Sequence, residues 1–171
     1  MNKLTQSMII GALICAALVG CTRDEPEPVD TTSTAYMFDN IFNPCRQIPR
    51  QFLENHRFGE NPKSGQSNIE DHASLGCTYD GPEYIFSVHV SNAPLSEIGR
   101  LNRHTFRETR IAGRAAKIKS SPPGQHPSCV LNIEMTGGVL SLYLVIKVVL
   151  DPCTTLTALA EELIPLLPPK A

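Results

Sequence analysis

No tryptophan occurs in this chain, and its apolar runs are short. The most continuous of them near the start, Met8 to Val19, falls well below the roughly twenty residues a membrane-crossing helix needs. An excess of one charge is also lacking: 15 basic and 17 acidic side chains leave a formal net charge of −2. Such a balance argues against a general nucleic-acid binder. Catalytic signatures are missing too. There is no Gly-x-Ser-x-Gly and no Ser-x-x-Lys, and none of His56, His72, His89, His104 and His126 stands in a His-Glu-x-x-His pattern. Asp71-His72 reads as a solvated loop pair, and His89 as a structural residue on a strand face opposite Phe86 and Val88. No Gly-rich phosphate loop appears, since Gly137-Gly138 is explained by a hairpin. These absences point away from an enzyme, and toward a chain with no cofactor and no metal.

What the chain does have is Leu18-Val19-Gly20-Cys21 at the end of a short apolar segment. Lys3 supplies a positive start, Met8 to Val19 an apolar stretch, and small residues precede the cysteine. This is the pattern of a lipoprotein signal peptide, residues 1–20, cut before Cys21. Cys21 would then carry a diacylglyceryl group, whose two chains suffice for stable anchoring. The expected location is the outer face of the cytoplasmic membrane, in the cell envelope. Residues 21–35 comprise the lipidated cysteine and an acidic tether. TRDEPEPVDTTSTA has almost no large apolar side chain and cannot offset the cost of ordering. Arg23 stands there against Asp24, Glu25, Glu27 and Asp30, whereas residues 36–171 are neutral.

Cys15 leaves with the signal, so four cysteines remain beyond Cys21: Cys45, Cys77, Cys129 and Cys153. An even count in an exported domain reads as disulfides. No Cys-x-x-Cys pair and no histidine at ligand spacing supports zinc instead. Three pairings exist for four cysteines. The strand reading below favours Cys129–Cys153, which leaves Cys45–Cys77.

Residues 36–171 suffice for one domain. Pro49 fits the first turn of a helix continuing through Phe52, Leu53 and His56 to a stop at Gly59. A loop is expected over residues 59–75, then a short strand at Cys77–Tyr79 and a turn at Asp80-Gly81-Pro82. Tyr84, Phe86, Val88 and Val90 alternate with other residues at the period of a half-buried strand. Pro94 reads as the start of a helix to about His104, and residues 107–119 as two short strands turning at Gly113. Cys129–Thr136 and Val139–Leu150 read as a hairpin about Gly137-Gly138, pairing Ile133 with Leu142 and Leu131 with Leu144. Asp151 then caps a helix whose first residue is Pro152, with a stripe of Leu156, Leu159, Ala160, Leu163 and Ile164 ending at Pro165. Folded back over the hairpin, that helix brings Cys153 to Cys129. The expected class is α+β: a mostly antiparallel sheet covered on one face by helices.

The lipobox, the acidic tether, Asn43-Pro44-Cys45 with Ile48-Pro49 after it, Cys77, Cys129 and Asp151-Pro152-Cys153 before a Leu/Ala helix form a recognisable series. Over residues 40–168 the chain resembles actinobacterial envelope lipoproteins that carry a single domain of unknown function. Asn43 stands where many members have Asp, and Thr78-Tyr79 where members often have Trp. The resemblance implies location and fold, and it carries no activity.

One local excess is basic. Arg100, Arg103, Arg107, Arg110 and Arg114, with Lys117 and Lys119, face only Glu108 in twenty residues. The five arginines would form one stripe on a continuous helix, and are candidates for contact with anionic lipid headgroups or an acidic envelope partner. The expected function is a non-catalytic binding or interaction module, held to the membrane through its N-terminal lipid, with an envelope protein or lipid as partner. A carrier of a small apolar or lipidic ligand would need a cavity between sheet and helices. A hydrolase would need a nucleophile and base brought together by the fold.

Overall fold

Alternation of apolar and polar residues, repeated on neighbouring strands, sets the architecture. The structure is a computed structural model that describes residues 42–59, 61–69, 72–100 and 105–167. Seven antiparallel strands form one sheet: β1 (Lys63–Ile69), β2 (His72–Asp80), β3 (Tyr84–Ser91), β4 (Arg107–Ile111), β5 (Arg114–Ser120), β6 (Ser128–Met135) and β7 (Gly138–Ile146). Their order is β1-β2-β3-β7-β6-β5-β4. The helices are α1 (Pro44–Gln47), α2 (Arg50–Asn55) and α3 (Pro152–Leu163), the last followed by a 3-10 turn at Ile164–Leu166. The sheet dominates, so the fold is less evenly α+β than expected.

Cross-strand pairs line up the core. Tyr79, Phe86, Leu144 and Cys129 make one row. Cys77, Val88, Leu142, Leu131 and Ile118 make the next. Val90, Leu140, Ile133 and Ala116 make a third. All are buried in one cluster with Phe52 and Phe58 from the N-terminal helical region and Leu156, Leu159, Ala160 and Leu163 of α3. Each large aliphatic or aromatic side chain so buried contributes about 1.5–3 kcal/mol. The rings of Phe58 and Phe86 stack at 5.4 Å, and Tyr84 meets Phe58 edge-on at 5.5 Å.

Both helix starts that follow an Asx-Pro-Cys motif are capped by its first residue. Asn43 Oδ1 accepts from Cys45 N at 3.0 Å, and Asp151 Oδ1 from Thr154 N at 2.6 Å. Each satisfies an N–H the helix leaves open, and each cap is followed by a proline whose missing N–H costs nothing there. The third residue forms a disulfide: Cys45–Cys77 ties α1 to β2, and Cys129–Cys153 ties β6 to α3. The Tyr79 hydroxyl donates to Pro44 O at 2.6 Å in the interior, and burial pushes its pKa up to about 12.

Four expectations are corrected. Residues 63–69, expected as loop, form β1 on the edge of the sheet, and β2 begins at His72. KSGQSNI lacks apolar alternation, and its strand is held by the backbone ladder to β2. The chain from Pro94 to Arg100 makes successive i to i−3 turns rather than a helix, with Gly99 at positive φ; His104 lies outside the described residues. β7 ends at Ile146, four residues short of the expected Leu150. The hairpin register is shifted by two, pairing Met135 with Gly138, Ile133 with Leu140 and Leu131 with Leu142. A two-residue shift keeps every side chain on its face, so the apolar match survives. The turn falls on Thr136-Gly137, with Gly137 at φ 85°, because Gly138 has a different task. It opens β7 against the end of β3, where a Cβ would overlap Ser91 O and Asn92 Cα.

Two substitutions separate these glycines. Gly138→Ala should cost about 2 kcal/mol through overpacking, whereas Gly137→Asn should cost far less, since Asn tolerates positive φ. Urea unfolding of both variants checks the order. Replacing Cys129 and Cys153 together by Ala reopens a loop with 24-residue separation and should lower stability by about 3 kcal/mol, read the same way.

Candidate functional site

The strand order forces the chain to cross the sheet. β3 lies beside β7, whereas β4 is the far edge, so residues 92–106 must travel past β7, β6 and β5. The described residues of this connection, 92–100 and 105–106, lie on the face opposite the main core. Ala93 and Ile98 are buried against Val139, with Leu95 and Phe106 packed onto them. Two polar clamps hold this strap. Lys117 Nζ donates to Ile98 O at 3.0 Å, and His72 Nε2 lies 2.9 Å from Glu97 Oε2. The His72 contact, first, holds the Glu97 carboxyl below its ordinary range, with Arg100 adding to it.

Beside the strap the sheet carries a polar row. Lys117, Asn132, Ser141, His89 and Gly76 are consecutive cross-strand neighbours on β5, β6, β7, β3 and β2. The Ser141 hydroxyl donates to Asn132 Oδ1 at 2.6 Å, both side chains buried. One row below, Thr78 and Ser87 hydroxyls meet at 2.9 Å. Gly76 is a necessity: any Cβ there would collide with the His89 imidazole. His89 Nδ1 is buried without a hydrogen-bond partner, and burial lowers the pKa of the ring. The serine proton is committed to an amide oxygen, and the row's carboxylate, Glu108 on β4, stands beyond Lys117, three strands from Ser141. Its chemistry is that of a hydrogen-bonding surface. Among the described residues no group of three His, Cys, Asp or Glu side chains could hold a metal ion.

Toward the opposite end of the same face, near the start of β6, lies a groove. Two adjoining clefts, of about 520 and about 200 Å³, share Gln125 and Ser128. The first is lined by Tyr143 and His126, the second by Phe106, Val130, Lys119 and Pro122. Tyr143 is 39 % exposed on its strand, paired in register with Val130 and Ser87. Lys119 Nζ sits 5.9 Å from the centre of the Phe106 ring, within cation–π range. The exposed tyrosine and the partly buried phenylalanine are of the aromatic type enriched where protein surfaces make contact. A third cleft of about 820 Å³ lies between β5 and the start of α3, lined by Arg107, Ile118, Thr154 and Thr157 among others, and shares Phe106, Lys119 and Ser120 with the second.

The arginines named from the sequence do not form one stripe. Arg100 is exposed in the strap. Arg107 and Arg110 belong to edge strand β4 and fall on opposite faces, as residues an odd number apart must. Arg110 donates to Gly113 O at 2.8 Å, and Arg114, on β5, donates to Met135 Sδ at 2.8 Å. Arg103 lies outside the described residues, as do Cys21, the signal segment and the tether. Sequence reading missed the groove. Nothing in the pattern showed that the loop over residues 121–127 stands beside Tyr143.

Among the described residues no helix is long and apolar enough to cross a membrane. Residues 16–166 match the family model described as "Protein of unknown function (DUF3558)". No curated protein and no solved structure matches the chain.

The half-buried imidazole of His89 makes stability depend on pH. The folded-state pKa of His89 lies below that of the unfolded chain, so unfolding takes up a proton as pH falls beneath about 6.5. The neutral ring's contribution is complete above that pH and is lost on acidification. His89→Gln removes this contribution. The stability difference between the wild type and His89→Gln should therefore shrink or change sign between about pH 7 and about pH 5, as followed by urea midpoints.

Proposed function

The chain belongs to the DUF3558 family of proteins of unknown function, and from that premise we propose that it is an envelope lipoprotein of the actinobacterial kind. It is exported, lipidated at Cys21, and acts at the outer face of the cytoplasmic membrane as a non-catalytic binding module. The observation that carries the binding reading is the open groove between Tyr143 and Phe106 on the sheet face away from the main core. An aromatic side chain left 39 % exposed on a rigid strand provides contact area at little entropic cost. In this reading the helices are the cover of the core face, and the groove face is left for a partner.

The carrier alternative has less support. A ligand held between sheet and helices needs empty volume there, yet Phe86, Leu131, Leu142, Leu144, Leu156 and Leu163 fill that space and are fully buried. Of the clefts described above, the one between β5 and the start of α3 lies at the margin of that layer, and Arg107, Lys119, Asp151, Thr154 and Thr157 give it a lining too polar for an apolar ligand. A hydrolase reading would need His89 to take the Ser141 proton, but that proton goes to Asn132 and His89 Nδ1 makes no hydrogen bond.

Two measurements test the proposal. Metabolic labelling with an alkynyl fatty acid should mark the wild type, and Cys21→Ala should abolish the label. A photo-cross-linking residue at Tyr143 should give a discrete adduct in intact cells, and the same residue at exposed Glu54 should not. Equal adduct patterns at both positions would remove the groove from the proposal.

A further inference from the structure

Val148-Val149-Leu150 connects β7 to α3 and stands out from the rest of the surface. These consecutive apolar side chains are 46 %, 103 % and 46 % exposed. Single exposed apolar residues are ordinary, but a run of three with a fully exposed centre is not. The loop is also braced at its base. Ile146 N donates to Pro127 O at 3.0 Å and Lys147 N to Glu83 O at 2.8 Å on one side, and capping residue Asp151 holds the other. Leu150 N donates back to Val148 O at 3.0 Å, closing a tight bend. The tip is therefore preformed, and burying it orders little further backbone.

Charge at the base is balanced. Lys147 pairs with Asp80, which holds the Asp80 carboxyl below its ordinary range through that hydrogen bond, and Arg57 pairs with Glu83 at 3.1 Å. What projects is apolar, narrow and convex. A protein interface needs roughly 800 Å² from each partner, of which three side chains provide a fraction. A bilayer accepts such a wedge, because the acyl region takes up apolar side chains while the paired charges stay at headgroup level.

We infer that Val148, Val149 and Leu150 form a membrane-insertion tip, a second bilayer contact beside the N-terminal lipid. The inference deepens the lipoprotein reading and rests on it for its geometry. From Cys21 to Phe42, the first described residue, 21 residues reach at most about 70 Å. That exceeds the roughly 14 Å radius of gyration of a domain this size several times over, so the tip can meet the membrane that holds the anchor. Joined to an anchor, a weak insertion becomes an intramolecular event at high effective concentration.

The absence of tryptophan makes the test direct, since an introduced one is the sole indole. The described fold lies within residues 42–167, so a chain beginning at Cys21 keeps it. In that chain Cys21 is the one cysteine outside the disulfides and can be coupled to a maleimide phospholipid in phosphatidylcholine–phosphatidylglycerol vesicles. Val149→Trp should then show blue-shifted emission and about twofold or greater quenching by lipids brominated along the acyl chain, persisting at high salt. Leu166→Trp, exposed at the far end of the C-terminal helix, should remain unquenched. No quenching at residue 149, equal quenching at both positions, or a blue shift without lipid that reports self-association would each overturn the inference. The coupling supplies the anchor chemically. Failure of cellular acylation at Cys21 would thus leave this result intact, and failure of quenching would leave acylation standing.

Discussion

The seam between β3 and β7 is the interaction on which the rest of the structure depends. Strands β1 to β3 form one meander and β4 to β7 another, and the two meet only where β3 pairs with β7 within the sheet. Phe86 against Leu144, Val88 against Leu142 and Val90 against Leu140 are the residues of that meeting. Because β7 is last in sequence yet central in space, closing the seam joins segments more than fifty residues apart. The central core rows are complete only then. The same pairing sets the other face: it brings His89 beside Ser141, places Gly138 against Ser91, and leaves β4 at an edge the chain can reach only by the strap.

Neither disulfide crosses this seam. Cys45–Cys77 lies within the first half and Cys129–Cys153 within the second. Each closes a loop inside a unit and reduces that unit's unfolded-state freedom. The join is left to backbone hydrogen bonds, apolar packing, and surface ion pairs such as Lys147 with Asp80 and His56 with Glu162. Exposed ion pairs of this kind contribute little, so the apolar rows decide whether the halves stay together. The staples make each half worth ordering, and the seam makes them one domain.

Legibility in the sequence followed the strength of the local pattern. The hairpin, the capped C-terminal helix and both disulfides could be read because apolar period, N-cap, proline and cysteine agree there. β1 could not, since Lys63–Ile69 owes its strand state to a neighbour's backbone rather than to its own side chains. The helix anticipated from Pro94 failed for a tertiary reason: the segment is clamped to the sheet by Lys117 at Ile98 and by His72 at Glu97, and its turns follow those contacts. The two-residue register shift came from Gly138, whose missing side chain answers to Ser91 on a strand nearly fifty residues earlier. The groove was illegible for the same reason, because Tyr143, Phe106 and His126 become neighbours only after β4, β5 and β6 are in place. From Arg107 to Lys119 the basic run lies on the two strands read from the sequence, so the helical spacing of its arginines is coincidence there.

The groove and the apolar tip are not independent features. Both lie at the end of the sheet where β6 begins and β7 ends, and one backbone hydrogen bond, Ile146 N to Pro127 O, links the loop that rims the groove to the base of the tip. A domain with its tip in the acyl region would hold the groove close to the headgroups, and a partner engaged there would itself be at the membrane surface. The two contacts would then support each other through effective concentration, without any change of shape. The residues between them are a paired strand end and a braced bend, so the geometry is fixed by the fold.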